Sequence, residues 1–80
     1  MVDVIFETDF KKDFKKIKNN SLKEKIIKQI SKMRDNPTIG KPMRYKRKGL
    51  RELYIPPFRL SYKFENDIIY IFALYHKDQQ

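Results

Sequence analysis

The 80-residue sequence contains no cysteine, one histidine and two glycines. Without cysteine there is no disulfide framework, no thiolate nucleophile and no Cys-based zinc site, which suits a cytoplasmic home. A single histidine excludes RNA cleavage by a histidine pair. No glycine-rich loop can cradle phosphates. The acids are spread mostly along the helical segments, with no carboxylate pair at metal-ligand spacing, so neither a metal nor another cofactor is expected. No apolar run approaches about 18 residues. The N-terminus carries Asp3, Glu7 and Asp9 where a signal peptide would have a basic region followed by an apolar one. Neither a membrane span nor a leader is expected. The length is too small for two independent cores, so residues 1–80 are read as one domain. A domain of this size buries only roughly 60% of the surface its unfolded chain exposes, so any active site should be an open surface or a shallow groove.

What is present is apolar substance and positive charge. Hydrophobic residues make up 40% and aromatics 14% of the chain, enough for a packed core despite 36% charged residues. Nineteen Lys and Arg stand against 10 Asp and Glu, a formal charge of +9. Such a field attracts polyanions, so nucleic acid or an acidic protein is the expected partner.

Val2, Val4 and Phe6 alternate with Asp3 and Ile5, which reads as a short strand leading to a helix capped by Thr8 or Asp9. Phe10, Phe14 and Ile17 recur at helical spacing and predict an amphipathic helix from Asp9 to about Lys18. Ser21 and Glu24 form a capping-box signature for a second helix, whose stripe is Leu22, Ile26, Ile30 and Met33. That helix should stop by Asn36, because Pro37 disfavours helical dihedrals in the residue before it. Pro37 to Gly49 is read as a connecting loop. Leu50–Ile55, Phe58–Phe64 and Ile68–Tyr75 read as three strands of an antiparallel meander. Phe58, Leu60, Tyr62 and Phe64 should face the core, and Arg59, Ser61 and Lys63 the solvent. Ile68–Leu74, apolar on both faces, suggests an internal strand. The expected fold is α+β with the order β-α-α-β-β-β, a helical hairpin packed on one face of a small, mainly antiparallel four-stranded sheet.

Three groups of residues could carry chemistry. Lys41, Arg44, Lys46, Arg47, Lys48 and Arg51 form a run of cations without an intervening acid. It is either a solvated loop or a phosphate-binding patch, and Arg51 and Arg59 would extend its charge onto the adjoining strands. Arg59, mid-strand on the wet face, can present a guanidinium fork to a phosphate, though alone it would as readily pair with Glu52. His76 ends the last strand beside Lys77; it is a surface residue unless it serves as an acid or base near neutral pH. Of the five tyrosines, Tyr62 and Tyr70 are read as core, and Tyr45, Tyr54 and Tyr75 as candidates to stack on unpaired bases.

Lys41-Pro42-Met43-Arg44, Lys48-Gly49-Leu50-Arg51-Glu52-Leu53 and Phe58-Arg59-Leu60-Ser61-Tyr62, followed by the tail Tyr75-His76-Lys77, resemble in order and spacing the RelE/ParE toxin superfamily, over essentially the whole chain. The resemblance implies the toxin of a type II toxin–antitoxin pair, held inactive in a hetero-oligomer by a wrapping, acidic, RelB-like antitoxin. Its RelE-like branch implies a metal-free endoribonuclease that cuts mRNA in the ribosomal A site, where the 2′-hydroxyl attacks the adjacent phosphate to leave a 2′,3′-cyclic phosphate. On that resemblance Arg59, Arg51, His76 and Lys77 are the catalytic candidates and Arg44 a substrate contact; with the charge run and the stacking candidate, the RNA-binding set is Lys41, Arg44, Tyr45, Lys46, Arg47 and Lys48. Many relatives carry a tyrosine shortly after the tail, whereas this sequence reads Asp78-Gln79-Gln80; if the chain is complete, protonation of the leaving group falls to His76, Lys77 or another group, and if its C-terminus is shortened, part of the site is missing from it. A ParE-like inhibitor of DNA gyrase and a noncatalytic RNA-binding module remain as alternatives.

Overall fold

The computed structural model describes residues 2–43 and 49–76. Its elements are β1 (Asp3–Phe6), α1 (Thr8–Lys15), α2 (Asn20–Asp35), β2 (Lys41–Pro42), β3 (Leu50–Ile55), β4 (Phe58–Glu65) and β5 (Ile68–His76). The strands form one five-stranded sheet in the order β1-β5-β4-β3-β2, in which only the β1–β5 pair is parallel. The expected sheet thus gains a fifth strand: within the segment read as a loop, Lys41 pairs with Glu52 and Pro42 with Arg51. A strand of two residues, one of them proline, has no alternating pattern by which to be recognised.

Three of the four helix ends differ from expectation. Glu7 occupies the N-cap of α1 and makes no side-chain cap bond, so neither Thr8 nor Asp9 caps it; α1 closes at Lys15, short of Lys18. In α2 the cap is Asn19, whose side chain accepts from the Leu22 amide at 3.1 Å. Ser21 lies inside the first turn. Asn19 won because an asparagine two residues earlier offers an equally good acceptor to the exposed amides. The stop at Asp35, just ahead of Asn36 and Pro37, is as expected.

Apolar spacing decides what each element buries. Phe10 and Ile17 from the α1 segment, Ile26, Ile30 and Met33 from α2, and Ile55, Leu60, Tyr62, Ile69, Ile71 and Leu74 from the sheet form the core. Phe6, Phe10 and Phe14 stack in sequence with centroids 5.5 and 5.7 Å apart. The β4–β5 hairpin turns on Asn66 and Asp67, both at positive φ (53° and 61°), the conformation a two-residue turn of this hand requires and these residue types tolerate. Pro56 and Pro57 make the β3–β4 turn, where no ladder donor is needed. No helix among the described residues is long and apolar enough to cross a membrane.

The pairing of β4 with β5 is interrupted once. Ser61 opposes Ala73 but Tyr62 opposes Ile71, so Phe72 is an extra residue, a β-bulge. Beyond it the alternation of β5 inverts: Ile69 and Ile71 are buried before the bulge and Leu74 after it. Nearby, the Leu74 amide donates to the Asp13 carboxylate of α1 at 3.3 Å, so a helix side chain meets a backbone donor of the bulged strand.

Candidate functional site

Directly opposed residues of an antiparallel pair share a face, so the register sorts every side chain of the hairpins. Tyr54 opposes Arg59 and Arg59 opposes Tyr75, while Glu52 opposes both Lys41 and Ser61. Lys41, Glu52, Tyr54, Arg59 and Tyr75 therefore stand together on the face away from the helices.

They are joined by specific bonds. Arg59 Nη1 meets Glu52 Oε1 at 2.5 Å, and the Tyr75 hydroxyl donates to Glu52 Oε2. The Tyr54 ring, with Tyr54 half exposed, lies 5.7 Å from the Arg59 guanidinium carbon, within cation–π range. The Arg59 side chain is 35% exposed and that of Glu52 16%, so the pair is partly withdrawn from water. Arg59 Nε is buried and has no hydrogen-bond partner among the described residues. Ser61, expected to be wet, is buried, only 7% exposed, on the same face as Glu52 opposite it and Arg59 two residues earlier. A carboxylate that accepts, a guanidinium with further N–H groups, and a phenol that can donate are thus within one side-chain length of each other.

Arg51 and His76 lie elsewhere. Arg51 opposes buried Tyr62 and so points to the helix side, where its Nη1 donates to the carbonyls of Gly40 (2.8 Å) and Thr38 (3.4 Å). The charge of Arg51 does not continue that of Arg59 across one face, because adjacent odd and even positions of β3 alternate. His76 opposes Phe58, packs edge-on to it at 6.0 Å, and helps line a recess of the helix side with Asp13, Lys16, Lys18 and Leu22. The bulge at Phe72 is the reason: it turns Tyr75 toward Arg59 and His76 away. Tyr62 is core as expected, but Tyr70 opposes Lys63 on the open face and is half-buried. Arg44, Tyr45, Lys46, Arg47, Lys48 and Lys77 lie outside the described residues.

Tyr62 has a separate task. Its hydroxyl accepts from the Gly40 amide at 2.8 Å and donates to the Pro37 carbonyl at 2.9 Å. Burial pushes the phenol above its ordinary value, against the opposing influence of the Gly40 amide and the Arg51 charge. It therefore stays protonated and able to donate to Pro37.

From the sequence alone Glu52 is only an ion-pair partner and Tyr75 only a stacking ring. The signal for their grouping was the Pro56-Pro57 turn. A two-residue turn there sets Tyr54 against Arg59, and Glu52, two residues before Tyr54, falls on the same face.

The fold is shared with solved toxin structures. The chain is 20% identical to the matched chain of the toxin–antitoxin complex RelBE2 from Mycobacterium tuberculosis, with a TM-score of 0.83 over 95% of this chain and 98% of that one. Against a YoeB/ParE toxin from Agrobacterium tumefaciens the TM-score is 0.83 at 14% identity, covering 94% and 98%. Against the YoeB–YefM complex from Staphylococcus aureus it is 0.81 at 19% identity, covering 95% and 98%. No curated protein matches by sequence. The family model described as the ParE toxin of the type II toxin–antitoxin system parDE matches residues 4–80. The chain belongs to this ParE toxin family, and is a toxin of a type II toxin–antitoxin system.

Proposed function

We propose that this toxin is a metal-independent endoribonuclease that cuts mRNA on the ribosome, with Glu52, Arg59 and Tyr75 as its reacting groups. The observation that carries the reading is the bonded Glu52–Arg59–Tyr75 cluster on the open sheet face, beside Lys41. The Glu52 carboxylate takes the proton of the 2′-hydroxyl as that oxygen attacks phosphorus. Arg59 meets the charge that grows on the phosphate oxygens, and the bond to the 5′-oxygen breaks as Tyr75 gives it a proton. The products are a 2′,3′-cyclic phosphate and a 5′-hydroxyl. Tyr54 supplies a face for an unpaired base. The basic residues from Lys41 to Lys48 hold the backbone by releasing its counterions. Arg51, His76 and Lys77, catalytic candidates by resemblance, fall outside this reading of the reaction: Arg51 and His76 face the other side of the sheet, and Lys77 lies outside the described residues.

The ribosome enters because a face this shallow cannot by itself orient an RNA strand; an acidic antitoxin would silence the toxin by covering the same cations. The test is cleavage of mRNA on programmed ribosomes with and without EDTA, scored for cyclic-phosphate ends. Cutting that persists in EDTA and leaves those ends supports the reading; cutting of naked RNA that stops in EDTA overturns it. A second reading is favoured by the family match itself, which is to a ParE toxin: inhibition of DNA gyrase. A gyrase supercoiling assay run beside the ribosomal one separates the two.

A further inference from the structure

β2 is too short to choose its own register. It has two residues, and Pro42 has no N–H to give. A slip of one residue would carry Lys41 from the open face to the helix side. What holds the segment comes from the other side of the sheet. Tyr62 binds the Pro37 carbonyl and the Gly40 amide, and Arg51 binds the carbonyls of Thr38 and Gly40. Gly40 lies so close that a Cβ there would meet the Tyr62 ring and hydroxyl at 2.7 Å and the Glu52 carbonyl at 2.9 Å. Beyond β2, the Met43 amide donates to the Leu50 carbonyl at 2.9 Å.

From this geometry we infer that Arg51, Tyr62 and Gly40 form a register lock for β2. Its product is the placement of Lys41 opposite Glu52, as a phosphate-binding cation at the edge of the Glu52–Arg59 cluster. Arg51 is then a positioning residue: it serves RNA through Gly40 and Lys41 without touching it. The lock itself follows from the bonds above, and only the use of Lys41 for RNA rests on the proposed function.

The test compares Lys41→Ala, Arg51→Ala and the double variant of the full chain, with binding of a single-stranded RNA oligonucleotide measured over a range of salt. Losing one phosphate contact lowers the slope of log affinity on log salt by about 0.7. Lys41→Ala and Arg51→Ala should each lower it by that amount, and the double variant by no more. A double variant that loses about twice as much, about 1.4, shows Arg51 meeting a phosphate itself and overturns the inference. Amide hydrogen exchange supplies an arm independent of RNA. In Arg51→Ala, exchange at Gly40 and Met43 should quicken roughly tenfold, the scale of one net hydrogen bond, while Leu60 and Ile69 stay protected. Tyr62→Phe should do the same at Gly40. Unchanged exchange at Gly40 and Met43 in both variants overturns the lock. A wild-type chain that binds no RNA overturns the use of Lys41 as a phosphate-binding cation, while cleavage on programmed ribosomes decides the proposed function and the exchange result decides the lock.

Discussion

On the helix side of the sheet, Leu60, Ile69 and Ile71 are fully withdrawn from water, in one cluster with apolar side chains from α1 and α2. On the opposite side of the same strands, Glu52, Arg59 and Tyr75 hold one another by charge and hydrogen bonds, with Tyr54 half exposed above the guanidinium. The first set gains its free energy from area removed from water, in proportion to size and without direction. The second is directional and gains little stability, because partly solvated ion pairs contribute weakly. Stability and the proposed chemistry therefore fall on opposite faces, and a substitution should move one while leaving the other nearly still.

The largest effect should come from the apolar face. Leu60→Ala removes a fully buried side chain and should cost about 2–5 kcal/mol of unfolding free energy, read as a lower urea midpoint. Arg59→Ala should do the reverse. Urea unfolding stays close to wild type, while single-turnover cleavage on programmed ribosomes falls on the order of 10²–10³-fold, and Arg59→Lys recovers only part of it. An Arg59→Ala protein that is folded and cuts at the wild-type rate would remove Arg59 from the reaction. Asn19→Ala should sharpen the contrast at a smaller scale: loss of the α2 cap costs about 0.5–2 kcal/mol of stability and leaves any cleavage by the folded fraction unchanged.

The smallest effect is a pH dependence on the packed side. The folded Tyr62 phenol titrates above its ordinary value because of burial. The folded state therefore keeps its proton where the unfolded state has begun to lose it. The corresponding stability is present in full below about pH 10 and is lost as pH rises through the folded value. Subtracting the urea-derived stability of Tyr62→Phe from that of wild type, over a series of alkaline buffers, should leave a difference that shrinks with rising pH. A difference flat with pH would mean that the phenol is not desolvated.

Much of this division can be read in the sequence. The stripes Phe10-Phe14-Ile17 and Ile26-Ile30-Met33 place the helices, and Leu60 and Tyr62 place the core face of β4. The helical hairpin and the mainly antiparallel sheet follow from those periods and the chain order. Three things were not legible, each for a physical reason. β2 is made by bonds from Arg51 and Tyr62, residues remote in sequence, and its own two residues carry no pattern. Asn19 and Ser21 are both good caps, and the sequence does not rank them. Ile68–Leu74 is apolar on both faces, so nothing in it marks Phe72 as the residue that drops out of the pairing. Of the candidate site, Arg59 was legible because its two neighbours are apolar. Glu52 and Tyr75 depended on cross-strand register, as did the separation of Arg51 from Arg59, which the run of basic neighbours does not reveal.

The bulge in β5 makes the character of the site a matter of parity. Counting from Ile71, an unbroken strand would have brought His76 to the face of Arg59 and buried Tyr75 against Phe58; the supernumerary Phe72 exchanges them. Neither tail residue need change for the cluster to trade a phenol for an imidazole. Loss of one residue between Ala73 and Tyr75 would suffice, since it sets His76 opposite Arg59. Insertions and deletions in this strand, more than point substitutions, are then the mutations by which the same scaffold can alter the group it sets beside Arg59. Two tails that align letter for letter can accordingly present different chemistry to the same arginine.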